Sequence, residues 1–124
     1  MKVILTICLS VMAVMLMHAQ TMADVLRTMP DSILPLLTQN DRLDLVDEWQ
    51  GGVKAEVKNR LGGMVQLTEL TTSSARLQMS SVSYVILELR DEGRMIVVVS
   101  HCETDGIAVS YERRYSQDWK ELKP

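Results

Sequence analysis

The sequence predicts an α+β domain of two layers, with short N-terminal helices packed on a C-terminal antiparallel meander sheet of about five strands. Two changes of pattern predict it. Before Gly51-Gly52, apolar residues recur at helical spacing; after Gly62-Gly63, they alternate as in strands. A block of helices followed by a block of strands favours an α+β layering over a parallel α/β one.

The elements follow in order. Thr21 to Met29 is a short helix, since Met22, Val25, Leu26 and Met29 share one face. Pro30-Asp31-Ser32 interrupts it, and Ile33, Leu36 and Leu37 suit a further turn or two that Pro35 keeps irregular. Thr38 or Asn40 then caps a helix over Asp41 to Gln50, closed by Gly51 as a left-handed residue. On this helix Leu43, Val46 and Trp49 are expected inward with Leu45 at the border, and Arg42, Asp44, Asp47 and Glu48 outward. Strands are expected near Val65–Leu70, Ala75–Met79, Val82–Arg90, Arg94–Cys102 and Ile107–Tyr115. Asp105-Gly106 is the strongest turn signal, because both residues tolerate positive φ in a tight hairpin. Met95 to Val99 is apolar at every position, which suits a central strand covered by the helices.

The first twenty residues read as an export signal. Lys2 is followed by an uncharged apolar run from Val3 to Met17, too short to span a bilayer comfortably, and a cut is expected after Ala19 or Gln20. Residues 21–124 then form one domain, with a helical part over 21–52 and a sheet part over 64–116. No stable membrane span remains after cleavage, and the expected location is periplasmic or in the cell envelope. Loss of Lys2 lowers the 13 basic residues by one against 16 acidic ones. A mildly acidic chain without a basic cluster argues against a nucleic-acid partner. Cys102 is the one cysteine past the signal, so no intramolecular disulfide is expected.

Few residues suggest chemistry. His101 and Cys102 are adjacent, so in a strand they face opposite ways and read as a strand-end histidine and a half-buried thiol rather than a nucleophile pair. Asp44, Asp47 and Glu48 share a helix flank that could hold a hard cation or provide an acid/base pair, although a solvated acidic face is the favoured reading. Asn59-Arg60-Leu61-Gly62-Gly63 reads as a tight helix-to-strand turn rather than an anion loop, and Lys54, Lys58 and Arg60 as a small basic patch balancing the acidic helix. No HExxH, GxSxG, phosphate-loop or dinucleotide signature occurs. No catalytic residue, metal ligand or cofactor is assigned. Tyr84, Arg90, Tyr111, Arg113 and Tyr115 are the candidate binding residues, since tyrosine and arginine are enriched at protein interfaces.

Three segments carry a resemblance: Met29-Pro30-Asp31-Ser32-Ile33-Leu34-Pro35-Leu36-Leu37, Asn40-Asp41-Arg42-Leu43-Asp44, and Lys54-Ala55-Glu56-Val57-Lys58-Asn59-Arg60-Leu61-Gly62-Gly63. With these the chain resembles a family of uncharacterised secreted proteins, a domain of unknown function, from Gram-negative gut and oral anaerobic bacteria. The resemblance covers roughly Thr21 to Trp119 and implies export and a shared fold, with no activity or site residues to carry over. Members of that family continue beyond the Asp118-Trp119 region, whereas this chain stops at Pro124. A shortened C-terminus is expected to bare a sheet edge and favour self-association or a partner.

The function expected is therefore a non-enzymatic envelope or periplasmic module that binds another protein or itself through its sheet face or edge. The alternatives are a small hydrolase using Asp44, Asp47 or Glu48 with His101, which requires them to meet in one pocket, and a ligand carrier with a cavity between the layers.

Overall fold

The computed structural model describes residues 20–123. The export signal read in residues 1–20 falls outside them, save for Gln20.

Helix α1 (Met22–Thr28) starts at Thr21, whose hydroxyl accepts from the Asp24 N–H while the Asp24 carboxylate accepts from the Thr21 backbone N–H. This reciprocal pair satisfies two otherwise orphaned donors. The helix stops because Pro30 forces the preceding residue out of helical geometry, and Met29 has ψ 134°. Residues 31–37 form turns without a helix. Helix α2 (Gln39–Gln50) repeats the capping device with Thr38 and Asp41. The left-handed residue after it is Gly52, at φ +75°, not Gly51, which stays right-handed at φ −79°.

The orientation of α2 differs from the sequence expectation. Its buried residues are Arg42, Leu45 and Val46, while Leu43 is half-buried and Trp49 is 36 % exposed. Arg42 thus lies inward. Its Nε donates to the Leu26 carbonyl (2.9 Å), Nη1 to the Leu37 carbonyl and Asp31 Oδ1 (both 3.1 Å), and Nη2 to the Met29 carbonyl. The Leu26 and Met29 carbonyls belong to the end of α1, where helix carbonyls lack intrahelical partners and partial negative charge collects. A guanidinium supplies several donors in a rigid fork, which is what such a cluster of carbonyls requires. Asp31 balances the charge and lies 3.8 Å from Arg60 as well.

Seven strands follow: β1 (Glu56–Lys58), β2 (Met64–Leu70), β3 (Ser74–Gln78), β4 (Ser83–Arg90), β5 (Met95–Thr104), β6 (Ile107–Ser116) and β7 (Glu121–Leu122). They form one antiparallel meander in sequence order. The five expected strands are present to within about two residues at each end. The two short end strands, β1 and β7, were not anticipated, because three and two residues are too few to show alternation. Since β1 pairs with β2, Asn59–Gly63 is a strand-to-strand turn, correcting the helix-to-strand reading. The Asn59 Oδ1 accepts from the Leu61 and Gly63 N–H groups, and Gly62 sits at φ +85°. The β5–β6 turn has both Asp105 (φ 53°) and Gly106 (φ 78°) left-handed, the geometry that matches strand twist in a two-residue hairpin.

The helices and the intervening loop cover one face of the sheet. Met22, Val25, Leu26, Leu34, Leu37, Leu45 and Val46 pack there against Val65, Leu67, Leu77, Val85, Leu87, Ile96, Val98 and Tyr115. The other face is mostly polar, with Met64, Ile86, Met95, Val97 and Val99 among its apolar residues. Val97 is nevertheless fully buried, flanked across the strands by Glu88 and Arg114. Ion pairs from Arg90 to Glu88 (3.0 Å) and Glu112 (3.9 Å), and from Arg114 to Glu112 (2.8 Å), lie on this same face.

Candidate functional site

The five candidate binding residues do not form one cluster. Tyr84 and Arg90 lie on the outer face, and Arg90 is held by the two glutamates just described. Tyr111 and Arg113 lie on the helix-side face of β6 and are exposed. Tyr115 is 6 % exposed and belongs to the core, where it packs on Trp119 with ring centroids 5.7 Å apart. Tyr115 therefore lies off the open surface that Tyr111 and Arg113 share, because the end of β6 nearest β7 is roofed by the loop between the helices.

On the outer face a row of side chains crosses four strands. The Arg76 guanidinium lies 4.1 Å from the Tyr84 ring centre, Tyr84 stacks on His101 at 4.6 Å, and His101 Nδ1 lies 2.6 Å from the Ser110 hydroxyl. A Ser–His contact invites comparison with a nucleophile pair, but among the described residues no carboxylate orients this histidine. The acidic flank of α2 cannot serve, because Val98 faces the helices, and His101, three positions on, faces away. The sheet therefore separates His101 from Asp44, Asp47 and Glu48. Among the described residues, no group of three His, Cys, Asp or Glu side chains could hold a metal ion. Cys102 is exposed, not half-buried.

The basic patch is dispersed as well. Lys54 pairs with Glu56 at 3.1 Å and Arg60 leans on Asp31, so neither faces the acidic flank of α2.

The helix-side face of the β5–β6 hairpin is different. A cleft of about 240 Å³ lies where residues 32–35 meet the sheet, and Ser100, Tyr111, Arg113 and Tyr115 form its floor. Contact with the Tyr115 hydroxyl, and then the Glu121 carboxylate, push the Arg113 guanidinium above its ordinary pKa. Beyond this cleft the face is bare. Ile107, Val109 and Tyr111 follow each other at strand spacing and are 67 %, 56 % and 57 % exposed. They alternate as Val85 and Leu87 do, yet nothing among the described residues covers them.

The backbone beside this stripe is also unpartnered. Strand β7 pairs with β6 only at Arg114 and Tyr115. Ser116 N–H points toward β7, donating to the Lys120 carbonyl at 2.9 Å. By alternation the N–H and C=O groups of Ala108, Ser110 and Glu112 point the same way, past the end of β7. They have no backbone partner among the described residues. The sequence reading expected a bared sheet edge but did not place it on β6, because its position depends on how little of β6 its neighbour covers. The one available signal was the uncharged run Ile107–Tyr111 directly after a hairpin turn.

These features define a small α+β domain whose single sheet, among the described residues, leaves one edge of the partly apolar strand β6 largely open. The chain belongs to the family described as Protein of unknown function (DUF3256), whose model matches residues 14–124. No curated protein matches it, and no solved structure does. Among the described residues, no helix is long and apolar enough to cross a membrane.

Proposed function

We propose that the chain is an exported, non-enzymatic interaction module of the cell envelope or periplasm that binds protein through the free edge of β6. The observation that carries this reading is the coincidence of unpaired backbone at Ala108, Ser110 and Glu112 with the exposed stripe Ile107, Val109 and Tyr111. Main-chain hydrogen bonds at such an edge supply affinity, and alternate side chains supply specificity. Export rests on the N-terminal apolar run, and a mature N-terminus near Ala19 or Gln20, read by mass spectrometry of the periplasmic fraction, tests it. A photocrosslinking residue at Val109 or Tyr111 should give protein adducts in living cells, whereas one at Gln66, on the outer face far from β6, should give none. Equal yields at both positions would sink the edge reading.

The cleft supports a second reading. Arg113 makes no ion pair among the described residues within 4.0 Å, and the hydroxyl-bearing residues Ser32, Ser100, Tyr111 and Tyr115 line the cleft with it. Such a lining suits a small carboxylate, and Arg113→Ala should abolish its binding by calorimetry without lowering the melting temperature.

A further inference from the structure

We infer that β6 pairs antiparallel with the β6 of a second copy, about a two-fold axis at Ser110, to join two seven-stranded sheets into one. This inference rests on the edge-binding reading and names its occupant.

Backbone parity fixes which registers are possible. The two outward-pointing residue sets must face each other, so an axis can pass through a residue position but not between two neighbouring positions. The length of the open edge selects among them. The hairpin turn ends at Gly106 and β7 begins to block at Arg114, leaving Ile107 to Arg113 free. Ser110 is the middle of those seven residues, so an axis there pairs all of them. An axis at Ala108 would use only the first three, since it runs the turn into the partner strand. An axis at Glu112 would place that carboxylate opposite its own copy and drive β7 into the partner.

The side chains agree with the Ser110 register. Ala108 falls opposite Glu112 of the second copy, and Ser110 opposite itself. On the helix-side face Val109 falls opposite the tyrosine equivalent to Tyr111, twice by symmetry, in the close non-hydrogen-bonded sites where aromatic and β-branched residues pair favourably. Ile107 falls opposite Arg113. No like charges meet. The stripe left bare within one chain is thereby flanked on its open side by the same stripe of its own copy, as an isologous two-fold contact requires. The opposite edge is not built this way: β1 has three residues, two of them charged, which is how sheets ordinarily blunt an edge.

The full chain should sediment as a dimer whose dissociation constant worsens about tenfold or more on Ser110→Pro, which removes an outward N–H and the hydroxyl contact with His101 but no backbone bond to β5. Val109→Lys combined with Tyr111→Lys sets cations opposite each other across the axis and should also give a monomer. Both are surface positions in one copy, so circular dichroism should stay unchanged, and the second variant decides the matter where the first fails to fold. With Cys102→Ser, a nitroxide at Ser110→Cys should show the strongest intermolecular dipolar broadening, with weaker and equal broadening from labels at positions 108 and 112. A monomer at all concentrations, a dimer indifferent to the lysine pair, or broadening that peaks elsewhere overturns the inference. If the chain is monomeric and crosslinkers on β6 still capture a different protein, self-pairing fails while edge binding stands. If neither is seen, both fail.

Discussion

Strands β4 and β6 have the same alternating pattern and opposite fates. Val85 and Leu87 of β4 are buried under the helical layer, whereas Val109 and Tyr111 of β6 lie open. Alternation in a sequence reports that a strand exists and which residues share a face; it does not report whether anything covers that face. The helical layer is too narrow for its sheet. Helix α2 packs on β1 and β2 and α1 reaches β4, while only the loop between them extends over the start of the β5–β6 hairpin.

The contrast can be broken most forcefully at the layer's own anchor. Arg42→Ala leaves the carbonyls of Leu26, Met29 and Leu37 buried without a donor, and should cost about 3–5 kcal/mol in urea denaturation. A loss within about 0.5 kcal/mol, the usual range for a surface substitution, would mean that the guanidinium is solvated in solution. Next, Leu87→Ala should cost about 2–5 kcal/mol, and Val109→Ala less than about 0.5 kcal/mol in the monomer. Comparable losses at the two sites would show that the hairpin is covered after all. A smaller effect belongs to the turn that extends the bare hairpin: Gly106→Ala, at φ +78°, should cost about 1–2 kcal/mol by chemical denaturation.

The mildest test concerns Asp118, at the connection from β6 to β7. Its carboxyl is held below the usual aspartate range, chiefly by the Ser116 hydroxyl and further by Lys120. A depressed folded-state pKa contributes stability above the unfolded pKa that is lost as pH falls through the folded one. Because Asp118 is fully exposed, the expected result is a carbon-detected titration midpoint that rises in Ser116→Ala, with little change in acid stability. No movement of that midpoint would remove Ser116 as its cause.

Much of the fold was legible in the sequence. The helix starts at Thr21 and Thr38, the five longer strands and the Asp105-Gly106 turn all follow from local rules, which act within a few residues. What escaped depends on distant partners. Arg42 was expected outward because charged residues rarely lie buried unpaired, yet Arg42, Leu45, Val46 and Trp49 are also spaced as one helical face. Choosing between the two faces required knowing that α1 would end with its carbonyls directed at α2. Tyr111 and Tyr115 likewise look equivalent in sequence, and only the reach of the loop over residues 32–35 makes one a surface residue and the other core. The candidate site was the least legible part, because its decisive groups are backbone atoms left over where β7 stops.

The strictly sequential strand order has a kinetic consequence. Each strand finds its partner in the segment just before or after it, so the loops closed during sheet formation are short and the entropy lost in closing them is small. The principal distant steps lie in docking the helical layer, exemplified by the Met22 N–H donating to the Thr72 carbonyl across fifty residues of chain. A meander of this kind has low contact order for a sheet-rich protein, and it should fold toward the fast end of the range for mixed helix-and-sheet domains. The hairpin strands can therefore zip before the helices settle, and the unpaired edge of β6 is available to a partner from the first moments of folding.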